Sequence, residues 1–133
     1  MTTTTDSPAN APAATPTVLI VDDSRVSRLV ARQYITTLHP GWNVVEAGTG
    51  EEALAKAPQV QPQLVLVDVN MPGMGGLACA EQLRALLPAA HISLLTANVQ
   101  DATRQRASDI GVGFMEKPIT PEPIARLTAP LAG

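Results

Sequence analysis

The chain has 133 residues, a net charge of −3, 45% hydrophobic residues and only 2% aromatics, which gives one domain whose core is built from Val, Leu, Ile and Ala. The acidic balance argues against a nucleic-acid surface, because phosphate backbones are bound by clustered Lys and Arg. The single cysteine, Cys79, rules out an intrachain disulfide, and no apolar run reads as a membrane span or a signal peptide.

Residues 1–16 are mostly Thr, Ala and Pro with one charge, Asp6. Too little apolar surface is present to offset ordering entropy, so a disordered tail is expected there and a folded domain over 17–131. Thr17 to Val21 reads as a buried strand that ends in Asp22 and Asp23. Ser24 is a good N-cap for a helix to about Leu38, with Val26, Leu29, Val30 and Tyr34 as its apolar stripe and Arg25, Arg28 and Arg32 on a polar face. Asn43 to Glu46 is a short strand, and Thr49-Gly50-Glu51-Glu52 has capping-box spacing for a helix to about Ala57.

Leu64-Val65-Leu66-Val67 is the pattern of a strand buried on both faces. It ends in Asp68 and breaks at once into Asn70, Pro72, Gly73, Gly75 and Gly76, all turn formers. A helix over 76–87 is expected to turn Leu77, Ala80, Leu83, Leu86 and Leu87 inward. His91 to Leu95 is a fourth strand ending at Thr96. The segment 101–110 is helical but almost wholly polar, so it is expected to hold weakly to the core. Gly113 to Met115 is a short fifth strand before Glu116-Lys117-Pro118, and a last helix turns Ile124, Leu127 and Leu131 inward. The β-α unit thus recurs five times. The fold class is α/β: a doubly wound, five-stranded parallel sheet, flavodoxin-like, with strand order 2-1-3-4-5.

In such a sheet ligands bind at the C-terminal ends of the strands. Those ends deliver Asp22, Asp23, Asp68 and Thr96, with Lys117, one of two lysines, just beyond the fifth strand. Singly, these residues read as a loop start, a strand end and a surface charge; it is their convergence that carries information. Three carboxylates in one pocket repel and need a cation to ionise together, and oxygen-only ligands point to Mg²⁺. A carboxylate beside a divalent cation and a lysine is set up as a nucleophile toward phosphorus, with the Thr96 hydroxyl able to hydrogen-bond a phosphoryl oxygen.

The set resembles the receiver domain of bacterial two-component response regulators, in its stand-alone, chemotaxis-type form. The resemblance runs from Thr17 to about Leu131 through Val21-Asp22-Asp23-Ser24, Val67-Asp68-Val69-Asn70-Met71-Pro72-Gly73-Met74-Gly75-Gly76, Leu95-Thr96-Ala97 and Glu116-Lys117-Pro118. It implies that Asp68 accepts a phosphoryl group from a sensor histidine kinase or a histidine phosphotransfer protein. It also implies that Asp23, Asp68 and the backbone carbonyl of Asn70 hold Mg²⁺, with Asp22 assisting through water. Thr96 and Lys117 are implied to bind phosphoryl oxygens, with a cis Lys117–Pro118 bond. Phe114 stands at the aromatic switch position where many relatives have Tyr, so no switch hydroxyl is present. Val69 stands where some relatives carry Trp, and Trp42, at the far edge of the sheet, is expected to report phosphorylation poorly. The protein so implied is cytoplasmic and catalyses only its own phosphotransfer and dephosphorylation. With no output domain read after the final helix, it is expected to signal by binding an effector protein through helix 4, strand 5 and helix 5, or by passing the phosphoryl group on.

Other readings fit less well. A phosphatase of the haloacid dehalogenase type wants a second acid two residues after the nucleophile, where this chain has Asn70. A flavin-binding module wants a phosphate-cradling loop after the first strand and aromatics against the flavin. His39 and His91 stand apart and offer no histidine metal site. A relative that has lost phosphotransfer would not be expected to keep all five positions.

Overall fold

A computed structural model describes residues 15–97 and 100–132; most of the tail expected over 1–16 lies outside the described residues. The elements are β1 (Thr17–Val21), α1 (Arg25–Leu38), β2 (Asn43–Ala47), α2 (Gly50–Val60), β3 (Leu64–Asp68), α3 (Gly76–Leu86), β4 (His91–Thr96), α4 (Asp101–Ile110), β5 (Gly113–Glu116) and α5 (Pro121–Ala132). All strand pairs are parallel and the sheet order is β2-β1-β3-β4-β5, as expected. Val18 to Val21 and Leu64 to Val67 have no exposed surface, because helices cover both faces of these central strands.

Strand alternation splits the core into two layers. Leu19, Val21, Val65 and Val67 pack with Ala53 and Ala57 of α2 and with Cys79, Ala80 and Leu83 of α3. Val18, Ile20, Leu64 and Leu66 pack on the other face with Ala31 and Ile35 of α1 and Ile124 of α5. Helix starts are set by side chains. Ser24 Oγ accepts the Ser27 N–H; Thr49 Oγ1 accepts the Glu52 N–H, while Glu52 reaches back to the N–H of Gly48.

The helix faces depart from expectation in several places. On α1 the buried residues are Ala31 and Ile35, whereas Val26 and Leu29 are exposed at 70% and 57%. The helix is rotated so that Arg28 and Arg32 reach the Glu46 carboxylate on β2, which turns the expected stripe partly outward. On α3 Leu86 is exposed and Cys79 is buried instead. Helix α2 continues to Val60 despite Pro58, because the Gln61 N–H returns to the Ala57 carbonyl and closes the last turn. Helix α5 likewise runs past Pro130 to Ala132. On α4 only Ala107 is buried, so its hold on the core is slight, as its polarity implied. His39 does not stand apart: its ring stacks on Trp42 at 3.9 Å and its Nε2 lies 2.8 Å from Thr128 Oγ1 of α5.

Candidate functional site

β1 and β3 run side by side with Val21 opposite Val67, so the next residues, Asp22 just past β1 and Asp68 at the last position of β3, stand together at the C-terminal edge of the sheet. Asp22 is tied down on all sides. Its N–H donates to the Ala47 carbonyl at 3.1 Å, its Oδ1 accepts the Ser24 N–H at 2.9 Å, and its Oδ2 lies 3.1 Å from Lys117 Nζ. Asp68 Oδ1 accepts the Asn70 N–H at 3.2 Å and stands 3.4 Å from the same Lys117 Nζ. Asp23 is exposed, and one oxygen from each of Asp22, Asp23 and Asp68 falls within 4.8 Å of the others. Lys117 is fixed from behind: its N–H donates to the Thr96 carbonyl at 2.8 Å, and the Lys117–Pro118 bond is cis as expected.

The turn after Asp68 is built by close approach. The Val69 N–H donates to the Leu95 carbonyl, and the Val69 carbonyl accepts from both Met71 and Gly76. A Cβ on Gly76 would run into the Asp68 carbonyl oxygen and meet the Val69 Cα at 2.6 Å. Those are backbone atoms that cannot step aside. Gly76→Ala should therefore destabilise the fold by about 3 kcal/mol, as overpacking of a rigid site does, and displace Asp68. Urea unfolding would measure the first effect and labelling by a phosphodonor the second; near-native stability would show that the turn yields.

Burial raises the Asp68 carboxyl above its ordinary value; the Asp22 charge adds to this and Lys117 opposes it. Burial pulls the Lys117 ammonium down, but the Asp22 hydrogen bond and the Asp22 and Asp68 charges outweigh it and hold Lys117 above its ordinary value. One lysine against three carboxylates leaves negative charge in excess. An oxygen-only donor set with that excess fits a hard divalent cation such as Mg²⁺. Thr96 is buried at the end of β4 beside this pocket, in register with Glu116. Asn70 contributes its N–H to Asp68 and keeps its side chain exposed.

Phe114 lies away from the pocket. It is 38% exposed on the edge strand β5, with the Arg104 guanidinium of α4 5.0 Å from its ring centroid, a cation–π contact. Neither this arginine nor Arg28, whose Nη1 donates to the Asp22 carbonyl at 2.7 Å, was legible as a site residue, since both contacts bridge separate elements. Cys79 is buried, and burial pushes its thiol up to about 11, with Glu51 adding to it, which disfavours the nucleophilic thiolate.

Residues 18–128 match the response regulator receiver domain. The chain belongs to the response regulator receiver family. Receivers are phosphorylation-activated switches of two-component systems; they generally bind Mg²⁺ at an acidic pocket and engage kinases or phosphotransfer proteins and effectors. Among relatives, the response regulator protein VraR of Staphylococcus aureus is 36% identical over 95 residues, 71% of this chain and 46% of VraR; the receiver spans about half the length of the curated relatives it matches. The chemotaxis protein CheY4 of Vibrio cholerae superposes with a TM-score of 0.81 at 30% identity, over 88% of this chain and 98% of CheY4. The CheX-CheY-BeF3-Mg²⁺ complex of Borrelia burgdorferi shares the fold at a TM-score of 0.79 and 24% identity, over 89% of this receiver and 90% of that chain. Among the described residues, no helix is long and apolar enough to cross a membrane.

Proposed function

We propose that Asp68 is the phosphoacceptor of this receiver and that Asp23, Asp68 and the Asn70 backbone carbonyl hold Mg²⁺, with Asp22 assisting. The observation that carries this reading is Lys117 Nζ standing between Asp22 and Asp68, at 3.1 and 3.4 Å, beside an acidic cluster. An Asp68 oxygen forms a bond to the phosphorus of a phosphohistidine as the P–N bond breaks; the electron pair leaves on the imidazole nitrogen, which takes up a proton. Lys117 pairs with a phosphoryl oxygen and the Thr96 hydroxyl donates to another, so charge is met where it develops. The cation, when bound, neutralises phosphoryl charge. Attack of water on phosphorus later restores the carboxylate and releases phosphate, and catalysis by this chain extends no further.

The donor is a sensor histidine kinase or a histidine phosphotransfer protein in the cytoplasm. A protein donor suits the rim, where exposed Val26 adjoins a groove of about 360 Å³ lined by Val30, Ala97, Lys117, Pro118 and Ile119. The readout is protein binding at α4, β5 and α5, and a net charge of −3 argues against nucleic acid as the partner. The bound state is of the kind named for the Borrelia burgdorferi complex, in which a receiver of the same fold is joined with BeF3 and Mg²⁺.

Incubation with acetyl phosphate and Mg²⁺ should add one base-labile phosphoryl group, mapped to Asp68 by mass spectrometry; labelling on Ser or Thr would sink the reading. Asp23→Ala should weaken Mg²⁺ binding by more than about 100-fold and phosphorylation with it, since loss of a ligand exceeds the 10- to 100-fold typical for a supporting partner. An unchanged Mg²⁺ titration would remove Asp23 from the site.

A further inference from the structure

Arg28 was expected on the polar face of α1, yet its side chain is only 18% exposed. Its guanidinium spans two elements: Nε donates to Glu46 Oε1 of β2 at 2.9 Å and Nη1 donates to the Asp22 carbonyl at 2.7 Å. That carbonyl belongs to the peptide group joining Asp22 to Asp23. The Asp22 side chain has its own anchors in Ser24 and Lys117, so the arginine is not required to hold it. Asp23 is different, because its carboxylate is exposed and its direction is set through the backbone.

We infer that Arg28 is a positioning residue for the acidic pocket: by gripping the Asp22–Asp23 peptide group it fixes where Asp23 presents its carboxylate, and so sets the affinity for the divalent cation. The inference rests on the receiver reading of the pocket. Arg28 is itself held in place. Glu46 offers its second oxygen to Arg32 Nε at 2.7 Å, and its backbone carbonyl accepts from Lys56 Nζ at 2.7 Å. Burial would raise the Glu46 carboxyl, but hydrogen bonds from Arg32 and Arg28 outweigh it and hold it below its usual range. A planar guanidinium holds its donors in a fixed fork, so the Glu46 carboxylate and the Asp22 carbonyl are met from separate nitrogens in one preorganised geometry.

Arg32 supplies the control. It pairs with the same carboxylate but gives its other donor to the Val44 carbonyl, not to Asp22. In the full chain, Arg28→Met should weaken Mg²⁺ binding 10- to 100-fold, the range typical when a partner that orients a ligand is removed, as read by amide NMR titration. In the metal-free protein it should also speed amide exchange at Asp23 and Ser24. Arg32→Met should lose comparable stability yet stay within about twofold of wild-type affinity, and Arg28→Lys, which keeps the charge but not the planar fork and guards against a misfolded Met variant, should fall between. Wild-type affinity in Arg28→Met, or equal losses in the two Met variants, overturns the inference while leaving the receiver reading intact. A wild-type protein that binds no Mg²⁺ overturns both.

Discussion

Asp68→Asn should abolish acyl-phosphate formation and at the same time raise the stability of the metal-free protein by about 1 kcal/mol at neutral pH, a typical gain when a site built for activity is relieved of strain. Burial raises the Asp68 carboxyl, and the Asp22 charge adds to it. The folded state therefore holds that proton to higher pH than the unfolded chain does. The contribution of the group to stability is full below the unfolded value and is lost as pH rises through the folded one. At neutral pH the wild type bears the cost of an ionised, 4% exposed carboxylate, which asparagine does not. Lys117 keeps its partner Asp22 in the variant. Urea unfolding at pH 7 and near pH 4 should show the advantage of the variant shrinking in acid. Added Mg²⁺ should narrow it too, because only the wild type keeps its full ligand set and gains stability from the ion by mass action. Labelling that persists in the variant, or a variant less stable than wild type without metal, would contradict the assignment.

Much of this was legible because the central strands and the site use the same signal. Runs such as Leu64 to Val67 have to be buried, and a carboxylate directly after such a run has to leave the sheet at its C-terminal edge. With β1 beside β3 in the sheet order, the C-terminal strand ends bring Asp22, Asp68 and Lys117 together. Helix faces are less determined. Val26, Leu29, Val30 and Tyr34 do form a stripe at helical spacing, but Ala31 and Ile35 compete for the inward position. The contest is decided by Glu46, a β2 residue that draws Arg28 and Arg32 inward. Periodicity within one helix does not contain that partner. The same holds for His39, whose bond to Thr128 joins residues 89 apart in sequence, and for Arg104, whose partner is a single aromatic ring on the next strand.

The largest distal effect should be the transfer of the signal from Asp68 to α4, β5 and α5. A phosphoryl group adds a charge of roughly −1.5 to −2, one side of which is met by Lys117. The buried Thr96 hydroxyl, at the end of β4, should move toward it, and Phe114 on β5 should then turn inward into the space left beneath β4. In the present structure Phe114 is turned out under Arg104, so the switch must break a cation–π contact worth about 0.5–1 kcal/mol at an exposed position. That is small against the few kcal/mol that separate switch states, and α4, which holds to the core through buried Ala107 and partly buried Ile110 alone among its apolar residues, has little to keep it from following. Beryllofluoride with Mg²⁺ should shift amide NMR signals throughout α4, β5 and α5. Arg104→Ala should move those signals part of the way without any phosphoryl mimic, by removing what holds Phe114 out. Thr96→Ala should suppress the distal shifts while still permitting phosphorylation. Trp42 should respond as well, contrary to what its place in the sequence implied, since it stacks on His39, which bonds to Thr128 of α5. Shifts confined to the loops around Asp22, Asp68 and Lys117, with a silent Trp42, would mean that a partner reads the phosphorylated pocket directly and that Phe114 is not the switch.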